Sequence, residues 1–542
     1  MKLRAMACLV ASVCLAIVLN GASAPPYDLL VRNGVVLDGS GSGGVRADIA
    51  VAGGRIAGVG RFKDAEAATV IDATGLVVAP GFIDVHTHAD QIASHPLAEN
   101  FIRMGVTTVV AGNCGGSGAR ISETLAAIRA AGITPNFATL VGHNTVREQV
   151  MGRDQRPPTA DELERMKALV AQEMADGALG LSTGLQYVPG VYAGQAEIIE
   201  LARVAGAAGG LYASHMRNEG TDVENAVRET IAVGEAARCP VEISHLKIDS
   251  PKQWGASAKV LAMIDQARSR GVEVRADQYA YTAAASDLGI RVPAWALEGG
   301  QAQITARLAD EATWQRIKME MKQLYGERGF TDLSWAVVSS YRPEPSFDGL
   351  SLKQIAARTR GADDADAQLE VAREMMRGGD AQMVYHFMSE DDIARIMRHP
   401  QVAIASDSSV LTPGNGKPHP RGYGNNARVL GHYVRELKVV SLEEAVRKMT
   451  SLPAAQFRLN GRGLIKAGFA ADLVVFDPAT VTDRATYEQP HQFPAGMPYV
   501  IVNGTVVIRN GEHTGAKPGQ VLTRVVPARP PALLSDIGAR PR

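Results

Sequence analysis

Eight short apolar segments, separated by stretches long enough for a helix, constrain what this chain can fold into. They cover residues 82–88, 106–113, 136–144, 178–184, 210–217, 241–248, 272–279 and 402–409. Most of the gaps carry the spacing of an amphipathic helix, with the best examples at Ala160 to Ala175, Glu197 to Ala208 and Val223 to Ala237. This alternation predicts an α/β chain whose central part is a (β/α)8 barrel of the TIM type.

The regions on either side of the barrel segments have a different texture, with short strands and glycine-rich turns such as Asn33-Gly34 and Asn503-Gly504. Neither end is long enough to bury a core alone, so we expect residues 25–79 and 456–542 to form one small β-sandwich domain. Residues 80–455 would then be the barrel. The gap between its seventh and eighth strands exceeds one crossover helix, which predicts an inserted subdomain at about 288–390.

The first 24 residues have the pattern of a secretory signal peptide. Lys2 and Arg4 precede an apolar run from Ala7 to Leu19, and Ala22-Ser23-Ala24 forms a small-residue cleavage site. No later segment has the length of a transmembrane helix, so we expect an exported protein, periplasmic or secreted, without a membrane anchor after cleavage.

The overall charge gives no support for a polyanionic partner. With 56 basic and 57 acidic residues the formal net charge is -1, which gives no electrostatic reason to expect nucleic acid or an anionic membrane as partner. The sequence leaves the oligomeric state open.

Metal-ligating residues fall where the predicted strands end. Side chains alternate along a strand, so His86 and His88 project the same way from the end of the first strand. Active sites of such barrels gather at this rim. The other candidates at strand ends are Cys114, His215, His245 and Asp407. Four imidazoles, one thiol and one carboxylate are enough for one or two zinc ions.

Each of these residues also has an ordinary structural explanation. A single histidine near a strand end is more often a hydrogen-bonded structural residue, and Asp407 in Ser-Asp-Ser is typical of a cap or turn. Cys114 could pair with Cys239 or simply be buried. Because Cys239 precedes Pro240 at the start of the sixth strand, at the opposite end of the barrel, we do not expect a disulfide. The coincidence at five strand ends favours a metal site.

Several longer motifs resemble the amidohydrolase superfamily, and specifically its N-acyl-D-amino-acid deacylase (D-aminoacylase) branch. The resemblance runs from about Tyr27 to Gly519. Most members of the superfamily carry a metal-bridging lysine on strand four, and Gly177–Gly184 of this chain contains no lysine. A strand-two cysteine, here Cys114, is typical of this branch instead. The motifs are Pro80–His88, Gly105–Gly115, Gly177–Tyr187, Tyr212–Glu219, Ile243–Lys247, Asp277–Ala283 and His419-Pro420-Arg421.

The resemblance implies a zinc-dependent hydrolase that cleaves the amide of N-acyl-D-amino acids, small substrates with a free carboxylate. Its D preference rests on the resemblance alone. By analogy Cys114, His215 and His245 would hold a tightly bound zinc ion. A second, weaker ion, if there is one, would lie at His86 and His88 with Cys114 and Asp407.

The remaining expected roles concern the substrate. Asp407 would carry the proton from water to the leaving amine. Tyr187 would polarise the carbonyl or stabilise the oxyanion, although simple packing is nearly as good an explanation. Lys247, Tyr279 and Arg421 match the family's residues for the substrate carboxylate. Their ordinary alternative is surface solvation for the two cations and packing at the rim for Tyr279. His143 and Arg147 are further candidates for supporting the site.

Other functions stay open at this point. The nearest is another amidohydrolase activity, such as a dipeptidase on D-containing or isoaspartyl peptides, or a cyclic-amide hydrolase. A non-catalytic barrel is disfavoured because all six candidate metal residues are present. Ala280, Ala285 and the loop at residues 408–420 depart from the branch, which leaves side-chain specificity open.

Overall fold

The computed structural model describes residues 26–63, 66–379, 381–414 and 416–524. The expected signal peptide at residues 1–24 lies outside the described residues. Elements are numbered along the chain.

The central domain is a closed barrel of eight parallel strand positions, and each of the eight segments expected to be a strand contains one. Sequential neighbours pair in parallel. The barrel closes where Ser408 pairs with Thr87, which joins the eighth position to the first. The strands are β6 Phe82–Asp84 with β7 Thr87–His88, β8 Val106–Ala111, β9 Asn136–Thr139 with β10 Val141–Gly142, β11 Gly180–Gly184, β12 Leu211–His215, β13 Val241–Ile243, β14 Val274–Gln278, and β18 Val402–Ile404 with β19 Ser408–Ser409.

These strands are buried over almost their whole length because side chains fill the barrel inside and helices cover it outside. The predicted fold class, a TIM-type barrel with a β-sandwich domain, is confirmed.

Helices cover the outside of the barrel. They are α1 Glu99–Ile102, α2 Ile121–Ala131, α3 His143–Met151, α4 Ala160–Ala175, α5 Gln195–Ala207, α6 Val223–Ala237, α7 Ser257–Ser269, α12 Glu390–Arg398, α13 Arg421–Arg428, which continues as a π-helix Val429–Glu436, α14 Leu442–Met449 and α15 Ser451–Gln456. Short 3-10 helices lie at Ile92–Ser94, Gly190–Tyr192 and Pro251–Gln253.

The expected bounds of α4 and α6 are confirmed to the residue, and α5 begins two residues earlier than expected and ends one residue earlier. Helix α4 starts sharply because Thr159 and Glu162 form a reciprocal capping box. Within the described part of the chain, no helix is both long and apolar enough to cross a membrane.

An insertion between β14 and α12 forms its own small layer. Its strands β15 Ala283–Asp287, β16 Ala336–Ser340 and β17 Gln382–His386 make an antiparallel sheet with β17 in the middle. Its helices are α8 Gln301–Ala309, α9 Glu311–Arg328, α10 Leu352–Arg360 and α11 Ala365–Gly378, with 3-10 helices Leu288–Arg291, Ala294–Leu297 and Pro345–Phe347. The sheet begins at Ala283, so the separate layer starts before residue 288.

Both ends of the chain contribute to the remaining sheet. Its strands are β1 Tyr27–Val36, β2 Val45–Ala52, β3 Arg55–Gly60, β4 Ala67–Asp72, β5 Val77–Pro80, β20 Leu473–Phe476, β21 Tyr499–Val502, β22 Thr505–Arg509 and β23 Glu512–His513. A bulge between Val31 and Gly34 bends β1, whose first half pairs with β4 and whose second half pairs with β5. The bend folds the sheet around its own core, which includes Leu29, Ile49 and Leu473.

Candidate active site

Five barrel positions bring the expected metal residues together at one end of the barrel. The Sγ atom of Cys114 lies 3.3 Å from His86 Nε2 and 3.5 Å from His245 Nε2. His245 Nε2 in turn lies 2.9 Å from His215 Nδ1. His88 Nε2 lies 3.1 Å from Asp407 Oδ1. The six side chains predicted from separate parts of the sequence therefore form one continuous cluster.

Groups of potential metal donors overlap within this cluster. His86, Cys114 and His245 form one group, and His86, His88 and Asp407 form another, with all donor atoms of a group within 4.8 Å of one another. A third group joins His215 and His245 to Glu219. Thiolate and imidazole donors are those that zinc prefers, and carboxylate adds a harder donor. The arrangement can hold one or two divalent ions.

The backbone at three of these positions has an unusual conformation. Cys114 has φ 52°, His245 has φ 37° and Asp407 has φ 52°, all in the left-handed region that non-glycine residues rarely adopt. Each residue directly follows a barrel strand or lies just beyond it, so the chain turns sharply there and directs its side chain towards the cluster. Left-handed conformations of this kind cost stability and occur preferentially at functional sites.

A buried aspartate and an asparagine fix the first strand's histidines to their neighbours. The Asp84 carboxylate accepts hydrogen bonds from the backbone amides of His86 and Ser406, and Asp407 N donates to His86 O over 2.9 Å. Asn113 Nδ2 donates to the carbonyls of Val85 and Thr87. Strands one, two and eight are thereby held in register at the site.

Two carboxylates face the outer nitrogens of the histidines, and sequence reasoning missed both. Asp277 lies 3.3 Å from His86 Nδ1 and accepts a hydrogen bond from His245 N. Glu219 Oε1 lies 3.0 Å from His245 Nδ1. The sequence signal that could have identified these two carboxylates was their position in the motifs. Asp277 begins one motif, and Glu219 ends another, four residues after His215.

The charges of the cluster favour anionic donors. Burial alone would raise the pKa of the Cys114 thiol, but the imidazoles of His86 and His245 outweigh it and hold the pKa well below the usual value. Burial likewise opposes ionisation of Asp407, yet the Arg421 guanidinium and the imidazoles of His245 and His86 hold its pKa well below 3.8. Thiolate and carboxylate are therefore the stable forms near neutral pH.

The three expected carboxylate-binding residues lie together beside Asp407. The guanidinium of Arg421 stacks 4.5 Å from the centre of the Tyr279 ring, and Lys247 Nζ lies 5.9 Å from the same centre. Arg421 Nη1 also lies 2.9 Å from Asp407 Oδ2, an ion pair without hydrogen-bond geometry. All three side chains are buried. Surface solvation of Lys247 and Arg421 is thereby excluded.

Tyr187 contacts the cluster at His215. Its ring packs edge-on against His215 with centroids 4.7 Å apart, and Ser286 Oγ donates to its hydroxyl over 3.2 Å. Burial and the nearby Cys114 raise the pKa of Tyr187 well above 10, which keeps the phenol protonated. The hydroxyl is therefore a hydrogen-bond donor.

The cluster opens into a cavity of about 900 Å³. Its floor is the barrel rim, and one wall comes from the insertion, through Ser339 and Ser340 of β16 and Tyr385 of β17. Ala285, one of the departures from the branch, lines this wall beside Ser286. Ala280, another departure, donates its backbone N–H to Asn425 Oδ1 over 2.9 Å, a bond that proline could not make.

Two expected supporting residues do not join the cluster. His143 Nε2 lies 2.8 Å from Glu197 Oε1, and Arg147 Nη1 lies 2.5 Å from Glu197 Oε2 in a buried network. Neither lines the cavity. Cys114 and Cys239 are both free and buried, which excludes the disulfide alternative.

Comparison with known proteins identifies the family to which this chain belongs. A model of the amidohydrolase family, Amidohydro_3, matches residues 69–508. D-aminoacylase of Alcaligenes xylosoxydans xylosoxydans is 38% identical over 524 residues, which cover 92% of this chain and 98% of the relative. This chain belongs to the amidohydrolase family, and within it to the N-acyl-D-amino-acid deacylases.

Solved structures of other deacylases match over the same length. The N-acyl-D-glutamate deacylase of Bordetella bronchiseptica, solved with zinc and a phosphonate mimic of the tetrahedral intermediate, has a TM-score of 0.79 and 36% identity and covers 92% of this chain and 100% of its own. A D-aminoacylase with a binuclear metal centre has a TM-score of 0.79, 37% identity and the same coverage. In that enzyme one metal ion activates and the second attenuates.

Proposed function

We propose that this protein hydrolyses the amide bond of N-acyl-D-amino acids and releases a carboxylic acid and a D-amino acid. The observation that carries the proposal is the convergence of one thiol and two imidazoles, Cys114, His215 and His245, next to the ionised Asp407 and a pair of buried cations. The kinship with enzymes that act on N-acyl-D-amino acids supports the substrate class and its handedness.

The donor set fits zinc. In a tetrahedral zinc site, neighbouring nitrogen and sulfur ligands lie about 3.3–3.6 Å apart. The separation of Cys114 Sγ and His245 Nε2, 3.5 Å, falls within this range. The 2.9 Å between His215 Nδ1 and His245 Nε2 is shorter, so these two rings must move slightly apart to bind one ion. We assign Cys114, His215 and His245 to a tightly bound ion. His86 and His88, with Cys114 and Asp407, are the proposed second and weaker site.

When bound, zinc lowers the pKa of a water molecule towards neutrality and polarises the amide carbonyl. Asp407 supplies the base, because its carboxylate is ionised and its Oδ1 faces the metal-side histidines. It accepts the proton of the attacking water and returns it to the leaving amine. Tyr187, a protonated donor beside His215, hydrogen-bonds the developing oxyanion.

The substrate carboxylate binds to the buried cations. Arg421 presents a planar fork that suits a carboxylate, and Lys247 adds a second positive charge at the same rim. Tyr279 supports the guanidinium by stacking. This requirement for a free carboxylate beside the scissile amide favours a linear acylated amino acid over a cyclic amide.

The test is release of amine by the zinc-loaded mature protein from N-acetyl amino acids in D and L forms, with neutral and acidic side chains. Turnover confined to D substrates is expected. Absence of turnover with either form, despite bound zinc, would overturn the deacylase assignment. D-containing or isoaspartyl dipeptides would then be the substrates to examine.

We also propose that the chain is exported to the periplasm or beyond. The basic start at Lys2 and Arg4, the apolar run and the Ala22-Ser23-Ala24 site support this. Expression of the full chain should yield a mature protein whose first residue is Pro25, as read by N-terminal sequencing of the exported fraction. Retention of Met1 in a cytoplasmic fraction would refute it.

A further inference from the structure

Glu219 has no role in the mechanism proposed above. It lies just beyond β12, four residues after His215, and its side chain is buried among charged groups. Its Oε1 atom lies 2.5 Å from Lys247 Nζ and 3.0 Å from His245 Nδ1. Its Oε2 atom lies 3.6 Å from His215 Nε2, a buried nitrogen without a hydrogen-bond partner among the described residues. One carboxylate therefore faces both histidines of the tight site.

The nitrogens that face Glu219 are the outer ones. His245 directs Nε2 towards Cys114 Sγ, and His215 directs Nδ1 towards His245 Nε2. These inner nitrogens need free electron pairs to bind a metal ion. The outer nitrogens, His245 Nδ1 and His215 Nε2, must then carry the ring hydrogens, and a hydrogen on a buried ring nitrogen needs an acceptor.

Lys247 makes the choice of tautomer critical. Its Nζ lies only 2.7 Å from His245 Nδ1. Without a competing acceptor, this ammonium would donate to Nδ1 and leave the ring hydrogen on Nε2, where it would block the metal side. Glu219 Oε1 accepts from Lys247 Nζ and lies 3.0 Å from His245 Nδ1, so it draws the ammonium hydrogens away from Nδ1 and offers the ring hydrogen an acceptor there.

We propose that Glu219 is a positioning residue that holds the metal-binding tautomer of His245 while it anchors Lys247, with its second carboxylate oxygen placed towards the outer nitrogen of His215. The inference rests on the proposed function, in which these histidines bind the tight zinc ion. Acceptors of this kind behind zinc histidines are typically worth 10- to 100-fold in metal affinity.

The experiment measures zinc affinity by chelator competition, without substrate. Glu219→Ala should weaken zinc binding by about 10- to 100-fold. Glu219→Gln keeps an amide oxygen that accepts from Nδ1–H, so it should recover a substantial part of that loss. Zinc affinity of Glu219→Ala within about twofold of the wild type would overturn the proposal.

A second comparison separates tautomer control from simple charge neutralisation of Lys247. If Glu219 acted only by balancing that ammonium, Gln would be as damaging as Ala, because neither side chain carries a charge. Equal losses of zinc affinity for Glu219→Gln and Glu219→Ala would therefore overturn the proposal. If Glu219→Ala does not fold, Glu219→Met replaces it as the variant without an acceptor: Glu219→Gln should bind zinc more tightly than Glu219→Met, and equal affinities would overturn the proposal.

The control variant is Glu173→Gln, which removes the charge of another buried glutamate. Its carboxylate accepts from Ile121 N at the start of α2 and has no other hydrogen-bond donor among the described residues. Its zinc affinity should equal that of the wild type. A wild-type protein that binds no zinc at this cluster would refute the proposed function itself. A wild type that binds zinc and hydrolyses substrate, with unaffected Glu219 variants, would refute only the role of Glu219.

Discussion

Replacement of Asp407 by asparagine tests the assignment of the base most directly. The amide side chain keeps the volume of the carboxylate and an acceptor for His88, whose Nε2 lies 3.1 Å from Oδ1 of the aspartate. The change removes the charge that pairs with Arg421 and the oxygen that takes the proton. Cys114, His215 and His245 do not depend on Asp407 for their mutual contacts, so tight zinc binding should persist.

The expected loss follows from the role. A positioned general base typically contributes about 10²- to 10⁴-fold to the rate, or about 3–5 kcal/mol of transition-state stabilisation. We therefore expect kcat on an N-acetyl-D-amino acid to fall by about that factor, with one zinc ion retained per chain by elemental analysis.

The matched control is Asp392→Asn, which alters a buried aspartate on α12 that accepts from Gly255 N and Ser257 Oγ in the outer layer. It should leave kcat near the wild-type value. Turnover of the Asp407→Asn protein within about tenfold of the wild type, at full zinc occupancy, would contradict its role as base.

Further substitutions examine other parts of the structure. Cys114→Ala removes the donor shared by both proposed metal sites and should abolish tight zinc binding. The control Cys239→Ala removes the other free buried thiol and should keep tight zinc binding. Equal zinc content in the two variants would contradict the assignment of Cys114. Arg421→Ala removes a charged hydrogen-bond donor worth about 1.5–3 kcal/mol, so KM should rise by about 10- to 100-fold. An unchanged KM would refute binding of the substrate carboxylate by Arg421. Burial lowers the pKa of Lys448 from 10.5 to about 8, and this difference corresponds to about 3 kcal/mol. The unfolded chain keeps the Lys448 proton up to about pH 10.5, whereas the folded protein loses it near pH 8. The free energy of unfolding of the wild type, relative to that of Lys448→Met, should therefore rise by up to about 3 kcal/mol from pH 7 to 10.5. A difference in Tm between these two proteins that does not change with pH would contradict this.

The barrel was predictable because its signals are local and repeated. Apolar segments with helical spacing between them define each strand and helix, and the capping box at Thr159 fixes the start of α4 to the residue. The cluster of His86, Cys114, His215, His245 and Asp407 was predictable because parallel strands deliver their carboxyl ends to one rim.

The contacts of the loops were not predictable in this way. Glu219 lies beyond the end of β12, where strand alternation no longer fixes the direction of a side chain, so its approach to two histidines is visible only in three dimensions. The pairing of Arg421 with Asp407 depends on how α13 packs against strand eight. His143 and Arg147 carry polar side chains near a strand end, yet a glutamate from α5, Glu197, pairs with both and keeps them away from the cavity.

The insertion gives the cavity a wall that is made separately from its floor. The residues that bind metal and move protons belong to the barrel, whereas Ser339, Ser340 and Tyr385 come from a sheet with its own hydrogen-bond register. Selection for a new substrate side chain can therefore act on β16 and β17 while the catalytic rim is inherited unchanged. Libraries for altered specificity belong in these two strands, whereas Ser286 of β15 contacts Tyr187 and should be kept.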